Sequence, residues 1–131
     1  MTTAIKTTVT KLKQSPAAKR IADLIRAAQA DPTQWGAFFA DVRPNLLAEL
    51  ARLRGVKRID DADPDIEDEM SAANAGIWRA LISGRVDLDN RGLLKLLVRI
   101  GTQRAIDEHR KRARSRRLDL RGSDELDRLA W

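Results

Sequence analysis

Leu93-Leu94-Lys95-Leu96-Leu97-Val98-Arg99-Ile100 runs on through Ala105 and Ile106 into Asp107-Glu108-His109-Arg110-Lys111-Arg112, with no proline and with Gly101 as its sole glycine. The apolar positions Leu93, Leu94, Leu96, Leu97, Ile100, Ala105 and Ile106 recur at helical spacing, which predicts one helix from Asn90 into the basic residues. Upstream, Ser15-Pro16 supplies an N-cap and a first-turn proline for a helix carrying Ile21, Leu24, Ile25 and Ala28. Asp31-Pro32 repeats that signal for a helix through Trp35, Phe38, Phe39 and Val42, which Pro44 should kink or restart before Leu46, Leu47, Leu50 and Leu53 carry it to Gly55. Asp63-Pro64 opens a third helix along Ile66, Met70, Ala73, Ile77, Trp78 and Leu81, ending near Ser83-Gly84. Nothing alternates with period two over strand length. The expected fold is therefore all-α, a compact set of about four or five helices.

The chain has 131 residues, which suits one domain, with 43% hydrophobic and 34% charged residues. Residues 1–14, rich in threonine and lysine, read as a flexible arm, 15–117 as the helical domain, and 118–131 as a tail or short last helix from Ser123 to Trp131. With no cysteine and one histidine, disulfides, thiol nucleophiles and Cys/His zinc sites are excluded. No signal peptide or membrane span is evident, so a cytoplasmic protein is expected. A net charge of +6 and a pI near 10.3 favour polyanionic partners, nucleic acid first.

Two charge clusters carry the candidate chemistry. Asp60, Asp61, Asp63, Asp65, Glu67, Asp68 and Glu69 crowd around Pro64. Asp61, Asp63 and Asp65 have the opening spacing of a calcium loop, but Ile66 stands where the turn needs glycine and Ala72 where a bidentate glutamate belongs, so no metal site is expected. Capping and the helix dipole explain Asp63 and Asp65, and a docking surface for a basic partner explains more of the cluster. Arg104, Arg110, Lys111, Arg112, Arg114, Arg116 and Arg117 exceed what a helix C-terminus needs and form the expected footprint of phosphate contacts. His109 has no nucleophile beside it in sequence and reads as a surface or partly packed histidine, so no catalytic residue is assigned. Trp35, Phe38, Phe39 and Trp78 fall on apolar stripes and are expected in the core, whereas Trp131 is either a partner contact or a satellite of the core.

The order of these features resembles region 2 of bacterial sigma factors of the sigma-70 superfamily, nearest the small extracytoplasmic-function type. The likeness covers about residues 33–117. Phe39, Pro44, Asn45, Leu46, Leu47 and Leu50 resemble the family's first region 2 helix. Asp65-Ile66-Glu67-Asp68 through Trp78-Arg79-Ala80-Leu81 resembles the helix that docks on the β′ clamp of RNA polymerase. Leu97-Val98-Arg99-Ile100 through Ala105-Ile106-Asp107-Glu108 to the arginines resembles the helix that faces the promoter −10 element. The resemblance implies a non-enzymatic transcription factor without cofactor. Asp63, Asp65, Glu67, Asp68 and Glu69 would meet the polymerase, and Arg99, Gln103, Arg104, Arg110, Lys111, Arg112, Arg114, Arg116 and Arg117 would meet DNA.

Departures shape that expectation. Glu69-Met70-Ser71-Ala72 replaces the family's usual apolar pair followed by Gln-Glu, and Gln103 stands where asparagine is favoured. Leu93 and Leu96 stand where the family commonly has Phe and Trp, and leucines cannot stack on an unpaired base. No region 4 helix-turn-helix is expected within these 131 residues. The expectation is thus a sigma-like co-activator with a separate DNA-binding partner, with persistence into elongation as an antiterminator left open, similar in architecture to the sigma-like part of alphaproteobacterial gene transfer agent activators. The alternatives are a self-sufficient initiation factor and a general basic DNA-binding protein, the latter leaving the acidic cluster without a role.

Overall fold

A computed structural model describes residues 14–60 and 62–129, with side chains as far as Arg117. Residues 1–13 of the expected arm, together with Asp61 and Trp131, lie outside the described residues. Four α-helices follow in order: α1 Pro16–Ala30, α2 Trp35–Arg54, α3 Ile66–Ile82 and α4 Leu93–Leu129, with a single 3-10 turn at Pro32–Gln34 between the first two. The all-helical expectation holds, and among the described residues there is no strand.

Each start reflects local hydrogen bonding. Ser15 caps α1, its Oγ accepting from the Ala18 amide at 3.2 Å. Gln14, the one described residue of the expected arm, donates through its side-chain amide to the carbonyls of Leu88 and Asn90 (2.9 Å to the latter), tying the start of α1 to the loop before α4. Asp31 caps the 3-10 turn instead of α2, accepting from Thr33 N at 3.1 Å, so α2 begins three residues later than Pro32 suggests. Asp63 and Asn90 likewise turn the chain ahead of their helices, each accepting from the backbone amide two residues on, at Asp65 (2.9 Å) and Gly92 (2.8 Å). Thus α3 starts at Ile66 and α4 at Leu93.

Pro44 does not restart α2. The proline removes one backbone donor from the helix, but its ring is exposed while Val42 and Leu46 on either side are fully buried, so packing carries the helix through. Gly55, at φ 69°, ends α2 in the left-handed conformation that glycine adopts without steric cost. The last helix expected from Ser123 is not separate, because α4 continues unbroken to Leu129.

The core combines Ile21 and Ile25 of α1, Phe38, Leu46 and Leu50 of α2, Met70 and Ile77 of α3, and Leu93, Leu97 and Ala105 of α4. Trp35 and Phe39 pack against Phe38 at its edge, with ring centroids 5.8 and 4.9 Å from it. The close approach of the aliphatic core is at Gly101, where an added Cβ would stand 2.7 Å from Leu46 Cδ2 and 2.9 Å from Ile77 Cδ1. Three helices meet at this glycine. Read as a tolerated interruption in the sequence, it is the contact that lets α4 lie against α2 and α3 together.

Candidate functional site

The two charge clusters occupy opposite ends of the chain's second half, and the antiparallel pairing of α3 with α4 brings them together. Arg112 reaches Asp65 at 3.2 Å and Asp68 at 2.8 Å, and Arg116 also bonds the Asp65 carboxylate. Glu108, one turn earlier on α4, accepts from Arg112 Nε at 3.1 Å. The hydrogen bond from Arg116 holds the Asp65 carboxyl below its ordinary value, reinforced by the charges of Arg116 and Arg112 against a partial desolvation. Arg112 is raised in turn, first by its bond to Glu108.

These contacts correct several expected assignments. Glu69 is fully buried: Arg54 bonds its Oε1, His109 Nδ1 lies 3.6 Å from the same oxygen, and Oε2 has no partner. A carboxylate enclosed in this way cannot meet a second protein. Asp65 is only 16% exposed and already engaged, and Asp63 is half-buried with its carboxylate on the Asp65 amide. Arg112 and Arg116 are turned toward α3 and do not join the other arginines. The sequence carried one signal for this, since residues 112 and 116 are one turn apart and continue the spacing of buried Ala105.

What remains outward forms two faces. On α3, Glu67 (74% exposed) and Asp68 (53%) lead a stripe through Ser71, Ala75, Trp78 and Ile82, all exposed and at helical spacing. Trp78 was expected in the core. It is 43% exposed because it lies one residue beyond core-facing Ile77, about 100° around the helix, and Ile82 beside it is 59% exposed. Glu67 takes a salt bridge from Arg43 of α2 at 2.6 Å, which leaves one face of its carboxylate to solvent.

On α4, Arg99, Gln103, Arg110, Arg114 and Arg117 follow one another at intervals of four, seven, four and three residues and are all exposed. Arg104 and Lys111 flank this line, the Arg104 stem lying over Gly76 of α3. Among the described residues none of these cations has a carboxylate within salt-bridge distance. No protein-family model, curated protein or solved structure matches the chain. The assignment of a function therefore rests on these two faces and on the sequence. No helix among the described residues is long and apolar enough to cross a membrane.

Proposed function

We propose that the chain is a sigma region 2-like transcription factor that docks on the β′ clamp of core RNA polymerase through the outward face of α3 and follows nucleic acid with the outward cations of α4. The observation that carries the reading is the sorting of charge: α3 presents carboxylates at the head of a stripe that reaches an exposed tryptophan about three turns on, whereas Arg110, Arg114 and Arg117 stand on α4 without a carboxylate partner among the described residues. An exposed aromatic and acidic residues on one helix face fit a protein partner with a basic, partly apolar surface. Arginines at helical intervals with no carboxylate partner among the described residues fit successive phosphates. The role proposed is that of a co-activator, with DNA specificity supplied by a second protein.

The direct test is co-elution of the purified chain with core RNA polymerase. The wild type should co-elute, and Glu67→Lys combined with Trp78→Ser should not, while Arg110→Ser, Arg114→Ser and Arg117→Ser together leave polymerase binding intact. Failure of the wild type to co-elute removes the polymerase reading. The triple arginine variant should flatten the log–log salt dependence of duplex binding by about 2.7, at about 0.9 per lost phosphate contact. Initiation by core enzyme and this chain alone would make it a self-sufficient initiation factor instead.

A second reading, a general basic DNA-binding protein, gains from the ion pairs of Asp65 and Asp68 and from buried Glu69, which give part of the acidic cluster a purely internal role. It leaves the exposed Trp78 and Ile82 unexplained. On that reading the Glu67→Lys, Trp78→Ser variant differs only by its two added units of positive charge and keeps its DNA binding.

A further inference from the structure

Apart from the face on α3, exposed large aliphatic side chains gather at the end of α2, where Leu53 is 49% and Val56 48% exposed. Leu53 belongs to a groove of about 820 Å³ between α2 and α4, whose floor it forms with Leu94 and Val98. Thr102, only 3% exposed, also lines the groove, and its Oγ1 has no hydrogen-bond partner. Along one rim stand Lys95 and Arg99, one turn apart, exposed and without a described carboxylate partner. Across from them Arg52 is neutralised by Glu49, whose carboxylate it bonds through both Nε and Nη2.

We propose that this groove binds an acidic amphipathic helix of a partner protein, with aliphatic side chains on Leu53, Leu94 and Val98 and carboxylates on Lys95 and Arg99. Three observations select that occupant. The floor is aliphatic and no aromatic ring lines the groove, so there is no platform on which a nucleobase can stack. The Glu49–Arg52 pair leaves the far rim neutral, so cations line one rim only, which suits a helix with one acidic flank better than a continuous phosphate chain. Branched aliphatic side chains flanked by cations on one side are what the i, i+3, i+4 pattern of an acidic helix matches. The buried Thr102 hydroxyl offers such a helix one further polar contact.

The chain's own ends do not fit. Residues 1–13 carry Lys6, Lys11 and Lys13 and no carboxylate, the wrong charge for this rim. Residues 118–129 are carried away from the groove on the same unbroken helix, more than about 20 Å past Gln103. The proposal moves Arg99 and Gln103 from the nucleic-acid path to a protein contact. It does not depend on polymerase docking, since its test contains no polymerase.

The test is a titration of the isotope-labelled full chain, followed by amide chemical shifts, with three probes. One is a synthetic helix with leucines at i, i+3, i+4 and i+7 and glutamates elsewhere, the second the same helix with lysines for glutamates, the third oligo(dT). The acidic helix should shift amides of residues 48–53 and 94–103, and the lysine helix should not. Lys95→Glu with Arg99→Glu should weaken the acidic helix by about tenfold or more, and Leu53→Ser should also weaken it, with the unperturbed amides of α1 and α3 reporting that each variant is folded. Binding that ignores Leu53→Ser is charge attraction alone and overturns the proposal. So does oligo(dT) shifting the same amides and displacing the helix, a concentration-dependent shift of these amides without any probe, which assigns the groove to a second copy, or the absence of any shift.

Discussion

The seam between α3 and α4 is built in two different ways along its length. Around Ala73, Ile77 and Gly101 the helices touch through small and aliphatic groups, so closely that a single added Cβ would meet Leu46 and Ile77. Around Asp65, Asp68, Arg112 and Arg116 the same two helices are held by ion pairs that water reaches. Close packing is short-ranged and indifferent to salt, whereas exposed ion pairs are weak, screened and exchangeable. One end of the seam fixes the fold, and the other can give up its partners to a competing charge.

The largest effect should come from the packed end. Gly101→Val is expected to destabilise the chain by about 3 kcal/mol, read from the midpoint of denaturant unfolding, because three helices would have to separate. An unchanged midpoint would show that the helices do not meet at this glycine. Next comes Glu69→Ala, which leaves Arg54 without its buried partner; Arg54 can turn to solvent, so the loss should be about 2 kcal/mol. A stability unaffected by this change would return Glu69 to the surface.

At the ionic end the expected signature is local. Asp65→Asn should release hydrogen-exchange protection at residues 110–117 while residues 97–105 keep theirs. It should also tighten binding to duplex DNA and steepen its salt dependence, since Arg112 and Arg116 lose a competing carboxylate; Asp23→Asn, with the same change in net charge, should do much less. Equal effects of the two variants would reduce the seam's ionic end to net charge.

The smallest effect is in acid. Asp65 has a lowered value in the folded chain, so its contribution is complete above the ordinary carboxylate value of 3.8 and is lost as pH falls below that through the lowered one. Protection of the α4 end should therefore fade below about pH 4 in the wild type, and Asp65→Asn should remove that dependence.

Helix identity was legible in the apolar spacing, because Ile21, Phe38, Ile77 and Leu97 sit at positions that only one periodicity explains. Starts were less so: Asp31, Asp63 and Asn90 each resemble a cap, yet each serves a turn just before its helix, and composition alone does not separate the two geometries. The candidate faces were read as blocks of charge. What the blocks conceal is direction, since Arg112 and Arg114 are two residues apart in sequence but point to opposite sides of α4, one to a carboxylate and one to solvent. Trp78 and Ile77 teach the same lesson with apolar groups.

A helix of 37 residues is about 55 Å long, and α4 is held along α3 from Gly101 as far as Arg116, with about 20 Å of its length beyond that point. Mechanically that last stretch is a lever whose fulcrum is an ion pair. A tilt of about 5° there displaces Leu129 by about 2 Å, so exchange of the Asp65 partners is magnified at the far end of α4.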